Sequence, residues 1–257
     1  MELIIILFTV LIGSLLTFFS GFGLGTILLP VFSLFFSLEI AIGATAIVHF
    51  FNSFFKVLLV YRYVNWKLLL RFGSTAIPFA FIGAWTLGKL DSSDFIIHYN
   101  FYFLNKDVSL IQFCIGVLML LFASIELFWK KKEFNFSGSM LYIGGLLSGF
   151  FGGLSGHQGA LRAMFLTKTN ISKEEFVATS STIGLFIDFT RLVVYSTTIS
   201  IMGFISIQST LIPAICVAFV GSYFGSKLLG KTTMKSVQYL VTFLLFIMGL
   251  LLVFGFL

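Results

Sequence analysis

The sequence predicts an all-α, polytopic helical membrane protein made of two homologous halves, and three observations predict it. The first is composition: 58% of the 257 residues are hydrophobic, 10% are charged and 35 are Phe. With a mean hydropathy of +1.07, this is more apolar surface than a water-soluble domain can hide. The second is the length of the apolar runs. Leu3 to Phe19, Ile40 to Val60, Leu110 to Phe128, Phe176 to Tyr195 and Tyr239 to Leu257 approach or exceed the ~18 to 20 residues that carry a helix across a ~30 Å hydrocarbon core. They lack the period-two alternation of a membrane barrel, which leaves helices as the way to satisfy every backbone group in lipid. The third is a repeat. Ala80-Phe81-Ile82-Gly83-Ala84-Trp85, with Lys89-Leu90 behind it, returns as Ala218-Phe219-Val220-Gly221-Ser222-Tyr223 with Lys227-Leu228 behind it, at an offset of 138. Ala44-Thr45 returns as Ala178-Thr179, and Gly25 as Gly159, at an offset of 134. One integral membrane unit therefore divides into an N-terminal transmembrane repeat, 1–134, and a C-terminal one, 135–257. Each has about four membrane segments, the usual build of a secondary transporter.

The first segment, Leu3 to Phe36, follows Met1-Glu2 with no basic leader and no small-residue cleavage site, so it is read as a retained span. It is interrupted by Gly21, Gly23 and Gly25 and closed by Pro30. Ile40 to Val60 follows, then the segment around Gly83, then Leu110 to Phe128. The second half opens with Leu141 to Leu166, which carries Gly144-Gly145, Gly149, Gly152-Gly153, Gly156 and Gly159. It continues with Phe176 to Tyr195, Ile205 to Leu228 and Tyr239 to Leu257. The first segment of each half is thus expected to be broken at glycines.

The net charge of +6 sits in short connections, as topology markers and not as a nucleic-acid surface. Arg62, Lys67 and Arg71, then Lys130 to Lys132, then Lys227, Lys231 and Lys235 mark the cytoplasmic side. The connection from Asp91 to Asp107, with three acids and one lysine, belongs opposite. Three simple crossings between the second and third basic clusters would put the third outside. The conflict disappears if Leu141 to Leu166 enters and leaves on the same side, which makes the halves an inverted-topology repeat. A parallel four-plus-four arrangement is the alternative. Trp66, Trp129 and Tyr61 read as interfacial anchors. Cys114 and Cys216 have no His or Cys at ligand spacing, so neither a disulfide nor a metal site is expected. No Gly-x-x-x-x-Gly-Lys-Ser/Thr motif supports ATP-driven transport, and no cofactor is implied.

Glycine-interrupted segments at corresponding places in two halves point to a transporter's substrate site. Here they are Ser20 through Pro30, with Gly23 and Gly25, and Ser148 through Arg162, with His157, Gln158 and Gly159. An opened backbone offers amide donors, and a helix restarting after the break aims its positive end inward, which suits an anion. The other reading is that these glycines only let helices pack closely.

Gly21-Phe22-Gly23-Leu24-Gly25 with Pro30, Ala44-Thr45, Tyr61-Arg62-Tyr63-Val64-Asn65-Trp66 and the repeated Gly83 and Gly221 segments resemble the sulfite exporter TauE/SafE family of membrane permeases, nearly end to end. The resemblance implies a duplicated permease for small sulfur-containing anions such as sulfite, sulfonates and sulfoacetate. The second-half motif departs from the first: it reads Gly153-Leu154-Ser155-Gly156-His157-Gln158-Gly159-Ala160-Leu161-Arg162, with Met164 where Pro30 sits at the 134 offset.

The ionisable residues support an anion independently. His49, Lys56, Arg162, Asp188 and Arg191 lie inside apolar spans, where each charge costs on the order of 2.5 to 3.5 kcal/mol. Lys56, Arg162 and Arg191 against Asp188 leave a nominal excess of two positive charges. Substrate is expected to contact Arg162, Arg191, Gln158, His157, Asn52, Gly23, Gly25 and Gly159, with Ser155 as a neutral donor. His49, Asp188 and Lys56 are candidates for coupling to protons or sodium. Other readings stay open: Asp188 and Arg191, three apart, as a structural pair; Lys56 snorkelling to the headgroups; His49 bonding a neighbouring helix. A passive anion channel is an alternative function. So is an intramembrane serine protease using Ser155 of Gly153-Leu154-Ser155-Gly156, although no histidine follows His157 in the chain. The expected partners are a small anion and the bilayer of the cell membrane, the inner membrane in a bacterium; a homo-oligomer is compatible with the sequence.

Overall fold

The computed structural model describes residues 1–20, 24–91, 95–101, 104–128, 138–198, 205–227 and 234–256. Gly21, Gly23, Trp129, Lys130 to Lys132 and Lys231 lie outside them. Ten α-helices run in order among the described residues: α1 Glu2–Ser20, α2 Gly25–Ser33, α3 Leu38–Val60, α4 Trp66–Asp91, α5 Leu110–Phe128, α6 Gly138–Ser155, α7 Gln158–Leu166, α8 Lys173–Thr198, α9 Gln208–Lys227 and α10 Met234–Val253. Four of them, α3, α4, α8 and α9, are long and apolar enough to cross a membrane by length and composition. At 1.5 Å per residue, the 19 residues of α5 and the 20 of α10 also reach roughly 28 to 30 Å.

The distribution of side chains departs from that of a soluble protein, although the interior is still largely apolar. Large apolar groups face outward, among them Phe8, Leu58, Leu70, Phe81, Phe189, Ile212 and Phe243, while His49, Asn52, Lys56, Arg162, Asp188 and Arg191 are buried. In lipid the outward groups lose nothing by exposure, and the polar ones must find partners inside. Trp66 and Tyr61 are exposed at helix ends, where interfacial anchors sit.

Two short helices fold back on the helices before them. Gln158 at the start of α7 packs where a Cβ on Gly152 would lie, the Ser148 hydroxyl donates to the Gln158 carbonyl at 3.0 Å, and the Phe165 ring near the end of α7 fills the space beside Gly144. The chain thus travels up α6 and returns beside it. Gly156 turns it, with φ +81°, a conformation that costs a residue with a Cβ about 1 to 2 kcal/mol. In the first half Leu24 and Ile27 pack back against Gly13 of α1 in the same sense.

Glycine seams join elements from opposite halves. Along α6, Gly145, Gly149 and Gly153 rest on the backbone carbonyls of Phe72, Ala76 and Ala80 in α4, and Gly83 answers against Phe150. Along α9, Gly221 and Gly225 rest on Leu11, Ser14, Leu15 and Phe18 of α1. Close packing is therefore the role of these glycines, as small residues serve helix contacts in lipid. The repeated Gly83 and Gly221 segments are the seams themselves. Helices α5 and α10 meet at Gly116 and Gly249, and α3 lies against α8.

The connection from Asp91 to Asp107 contains a two-stranded antiparallel ribbon, β1 Ile96–Phe101 and β2 Leu104–Ser109, with Ile97 opposite Val108 and His98 opposite Asp107. The ribbon is an addition to the predicted all-α class. Ile96, Ile97, Tyr99 and Phe101 suit a pleated surface, and the C-terminus gives that surface a base. Val108 is fully buried against Gly255, and the Tyr99 ring packs on Phe254.

Candidate functional site

The two breaks meet. A Cβ on Gly25, the first residue of α2, would lie 3.3 Å from the Gly156 carbonyl, 3.4 Å from Thr45 Cγ2 and 3.7 Å from His49 Cδ2. Both short helices therefore begin at one buried place, each with its positive dipole end directed there. Neither α2 nor α7 has a side-chain cap.

Around this place α3, α7 and α8 supply a buried polar network centred on Asp188, which is fully buried. Its Oδ1 accepts from Arg191 Nε at 3.0 Å and from Gln158 Nε2 at 2.9 Å, and Arg191 Nη2 makes an ion-pair contact with the same oxygen at 2.8 Å. Its Oδ2 pairs with Nδ1 of His49, which joins α3 to α8 across the halves. Gln158 then passes the network on: its Oε1 accepts from Arg162 Nη1 at 2.8 Å, and Arg162 Nε donates to Ser180 Oγ at 2.7 Å. A single carboxylate thus serves Arg191 and His49 directly, and is joined to Arg162 only through Gln158. Arg162 has neutral partners, and no carboxylate lies within ion-pair distance of it among the described residues.

Arg191 is fully buried, lies against Gly156, and its Nη1 has no partner. The i, i+3 pairing with Asp188 expected from the sequence is present, yet it leaves that edge of the guanidinium free. Tyr195, one turn along α8, donates its hydroxyl to the Gly153 carbonyl and fastens α8 to the end of α6.

The other predicted residues are placed differently. His157 stacks on Phe122 with ring centroids 5.6 Å apart, and its Nδ1 lies 2.9 Å from Ser155 Oγ. Ser155 gives its proton to the Phe151 carbonyl at 3.1 Å, so His157 Nδ1 donates to Oγ and Nε2 is left a bare acceptor without a partner. That arrangement suits neither a serine activated by a base nor an anion contact from neutral His157. Gly159 is buried in the first turn of α7. Gly23 lies outside the described residues. Asn52 is engaged with α9: its Oδ1 accepts from Ser222 Oγ at 2.6 Å, and its Nδ2 has no partner. Lys56 does not snorkel; it is 5% exposed and donates to Thr17 Oγ1 of α1 at 3.3 Å.

Four residues in these arrangements were not singled out by the sequence. Ser180, Thr17 and Tyr195 carry no motif. Ser222 did carry a signal, since it is the hydroxyl that stands where the first repeat has Ala84.

Comparison with curated proteins and with solved structures finds no match to either. The family model described as sulfite exporter TauE/SafE matches residues 5–252, the stretch that holds both broken hairpins, both seams and the Asp188 network, and the chain belongs to that family of integral membrane permeases.

Proposed function

We propose that the chain is a secondary permease that moves a small anion, sulfite, a sulfonate or a related organosulfur anion, across the cell membrane by alternating access around the meeting point of the two breaks. The observation that carries this reading is the free Nη1 of Arg191: a buried cationic donor facing the break, next to the converging N-termini of α2 and α7. An entering anion accepts from Arg191 Nη1 and from the opened backbone near Gly25 and Gly159, by the charge-assisted bonds that suit oxyanions. Arg162, held through Gln158, adds positive potential from one turn further along α7. Asp188 keeps Arg191 paired when the site is empty, which limits the cost of burying it.

The folding back of α7 on α6 and of α2 on α1 supports the inverted arrangement. If each pair returns to the side it came from, α3, α4 and α5 make three crossings in the first half and α8, α9 and α10 three in the second. Arg62, Lys67, Arg71 and Lys227 then share a side, and the ribbon lies opposite with the C-terminus. A proton or sodium gradient is the expected drive, with the His49 and Asp188 pair as the group that would respond to it.

The test is flux. Purified protein in liposomes is expected to take up labelled sulfite or a small sulfonate saturably, and Arg162→Ala or Arg191→Ala to abolish uptake. Intact transport in both variants would move the site elsewhere. Single-channel currents at rates far above carrier turnover would favour a channel.

A further inference from the structure

A second polar junction lies on the same face of α3, one to two turns from His49, and it has a different character. Lys56 Nζ is buried between α3 and α1, where it has the Thr17 hydroxyl at 3.3 Å and the Phe18 ring at 5.7 Å, and no carboxylate within ion-pair distance among the described residues. One turn before it, Asn52 is 1% exposed, spends its oxygen on Ser222 Oγ and leaves both Nδ2 protons without an acceptor. Residues 52 and 56 share a helix face. The corresponding positions of the second half at the 134 offset are Phe186 and Thr190, so the duplication does not require this cluster.

A buried lysine without a carboxylate beside a buried amide without an acceptor is a pair of unmet demands that one oxyanion would satisfy, holding the lysine as its ammonium. Burying them has no evident gain for the empty protein. Thr45, whose Oγ1 is also buried without a partner, and His49 continue the same stripe of α3 up to Gly25. The stripe therefore leads from the meeting of the breaks to Lys56.

We infer that Asn52 and Lys56, with Thr17 and Ser222 orienting them, form a second oxyanion-binding subsite, separate from the Arg191 site and on the path between it and the end of α3 marked by Arg62. The anion's oxygens accept from Lys56 Nζ and Asn52 Nδ2. The lysine acts as a point charge with rotatable donors, suited to a step of passage that must also release. This rests on the proposed anion permease for the identity of the occupant, but the two are separable by experiment.

Equilibrium binding of radiolabelled sulfite to the purified full-length protein in detergent separates them. Two sulfites per chain are expected. Lys56→Gln and Asn52→Leu should each leave one, Lys56→Arg should restore the second, and Arg191→Gln should remove the other site while sparing this one. Sulfite should also raise the melting temperature of Lys56→Gln less than that of the wild type, while Lys56→Gln without anion should melt no lower than wild type, a result that a merely structural lysine would not give. One sulfite in the wild type, unchanged in Lys56→Gln and lost in Arg191→Gln, would overturn the subsite and leave the Arg191 site standing. Loss of both sites in Lys56→Gln would overturn the separateness claimed here, and no binding in the folded wild type would overturn both proposals.

Discussion

Replacing Asp188 with Asn should be among the most damaging changes available to this protein, because the carboxylate is the acid on which the Arg191, Gln158 and His49 contacts converge. The substitution conserves volume, so it creates no cavity and isolates charge. Asp188 is fully buried and accepts from Arg191 Nε, Gln158 Nε2 and His49 Nδ1, with Arg191 Nη2 in ion contact. Asn has one oxygen to answer these donors and presents an amide to the rest. Removing one partner of a buried ion pair costs about 3 to 5 kcal/mol, or roughly two to four decades in the ratio of folded to unfolded protein. Equilibrium unfolding in mixed micelles would measure it. The double variant Asp188→Asn with Arg191→Gln removes both charges and should recover much of the loss, since an uncharged pair of similar volume is often neutral. If sulfite occupies the free edge of Arg191, adding it should restore stability to Asp188→Asn more than to the double variant. Asp188→Asn unfolding within about 0.5 kcal/mol of the wild type would refute the reasoning, since the carboxylate would then not be compensating Arg191.

Gly149→Leu places a side chain on the backbone of Ala76; forcing α4 and α6 apart should cost more than the ~1 to 3 kcal/mol of ordinary overpacking, seen as a lower melting temperature or loss of folded protein. Gly156→Ala combines a φ of +81° with a Cβ directed at Arg191 Nη1, so sulfite flux should fall at least about tenfold in protein that still folds, and unchanged flux would remove Gly156 from the site. In a background lacking Cys114 and Cys216, Lys67→Cys and Lys227→Cys should react with a membrane-impermeant thiol reagent from one side, and His98→Cys from the other. Labelling of Lys67→Cys and Lys227→Cys from opposite sides would favour the parallel arrangement.

The class of fold was legible because lipid imposes it: apolar runs of spanning length have few ways to satisfy their backbones. The Gly83 and Gly221 segments, alike in sequence at an offset of 138, both lie on seams between helices. The ribbon at Ile96 to Ser109 was not legible, because a hairpin outside the spans is stabilised by its contact with Phe254 and Gly255, residues that arrive at the far end of the chain. The charged residues of the candidate site could be named, because a buried charge in an apolar span is rare and costly. Their partners could not. Spacing does place Arg191 beside Asp188 and Arg162 beside Gln158, but it says nothing of His49 reaching Asp188 from 139 positions away or of Ser222 reaching Asn52 from 170.

The charges are also spread unevenly between the first and second halves of the chain. What the two halves share in sequence is the machinery of close approach, the small residues that let α6 lie on α4 and α9 lie on α1. What they do not share is chemistry: at the 134 offset Asp188 corresponds to Phe54, Arg191 to Val57 and Arg162 to Leu28, while His49 and Lys56 correspond to Ile183 and Thr190. A site at the junction of the two halves needs only one set of donors, because Gly25 and Gly156 come together at one place. Had both halves kept Arg162 and Arg191, four guanidinium groups would crowd that place against two carboxylates, and the empty protein would carry the repulsion. The observed division sets the arginines and their acid on the second half and the histidine, amide and lysine on the first. The bond that joins α3 to α8 across the junction is then His49 to Asp188, a contact that relative movement of the two helices must stretch or break.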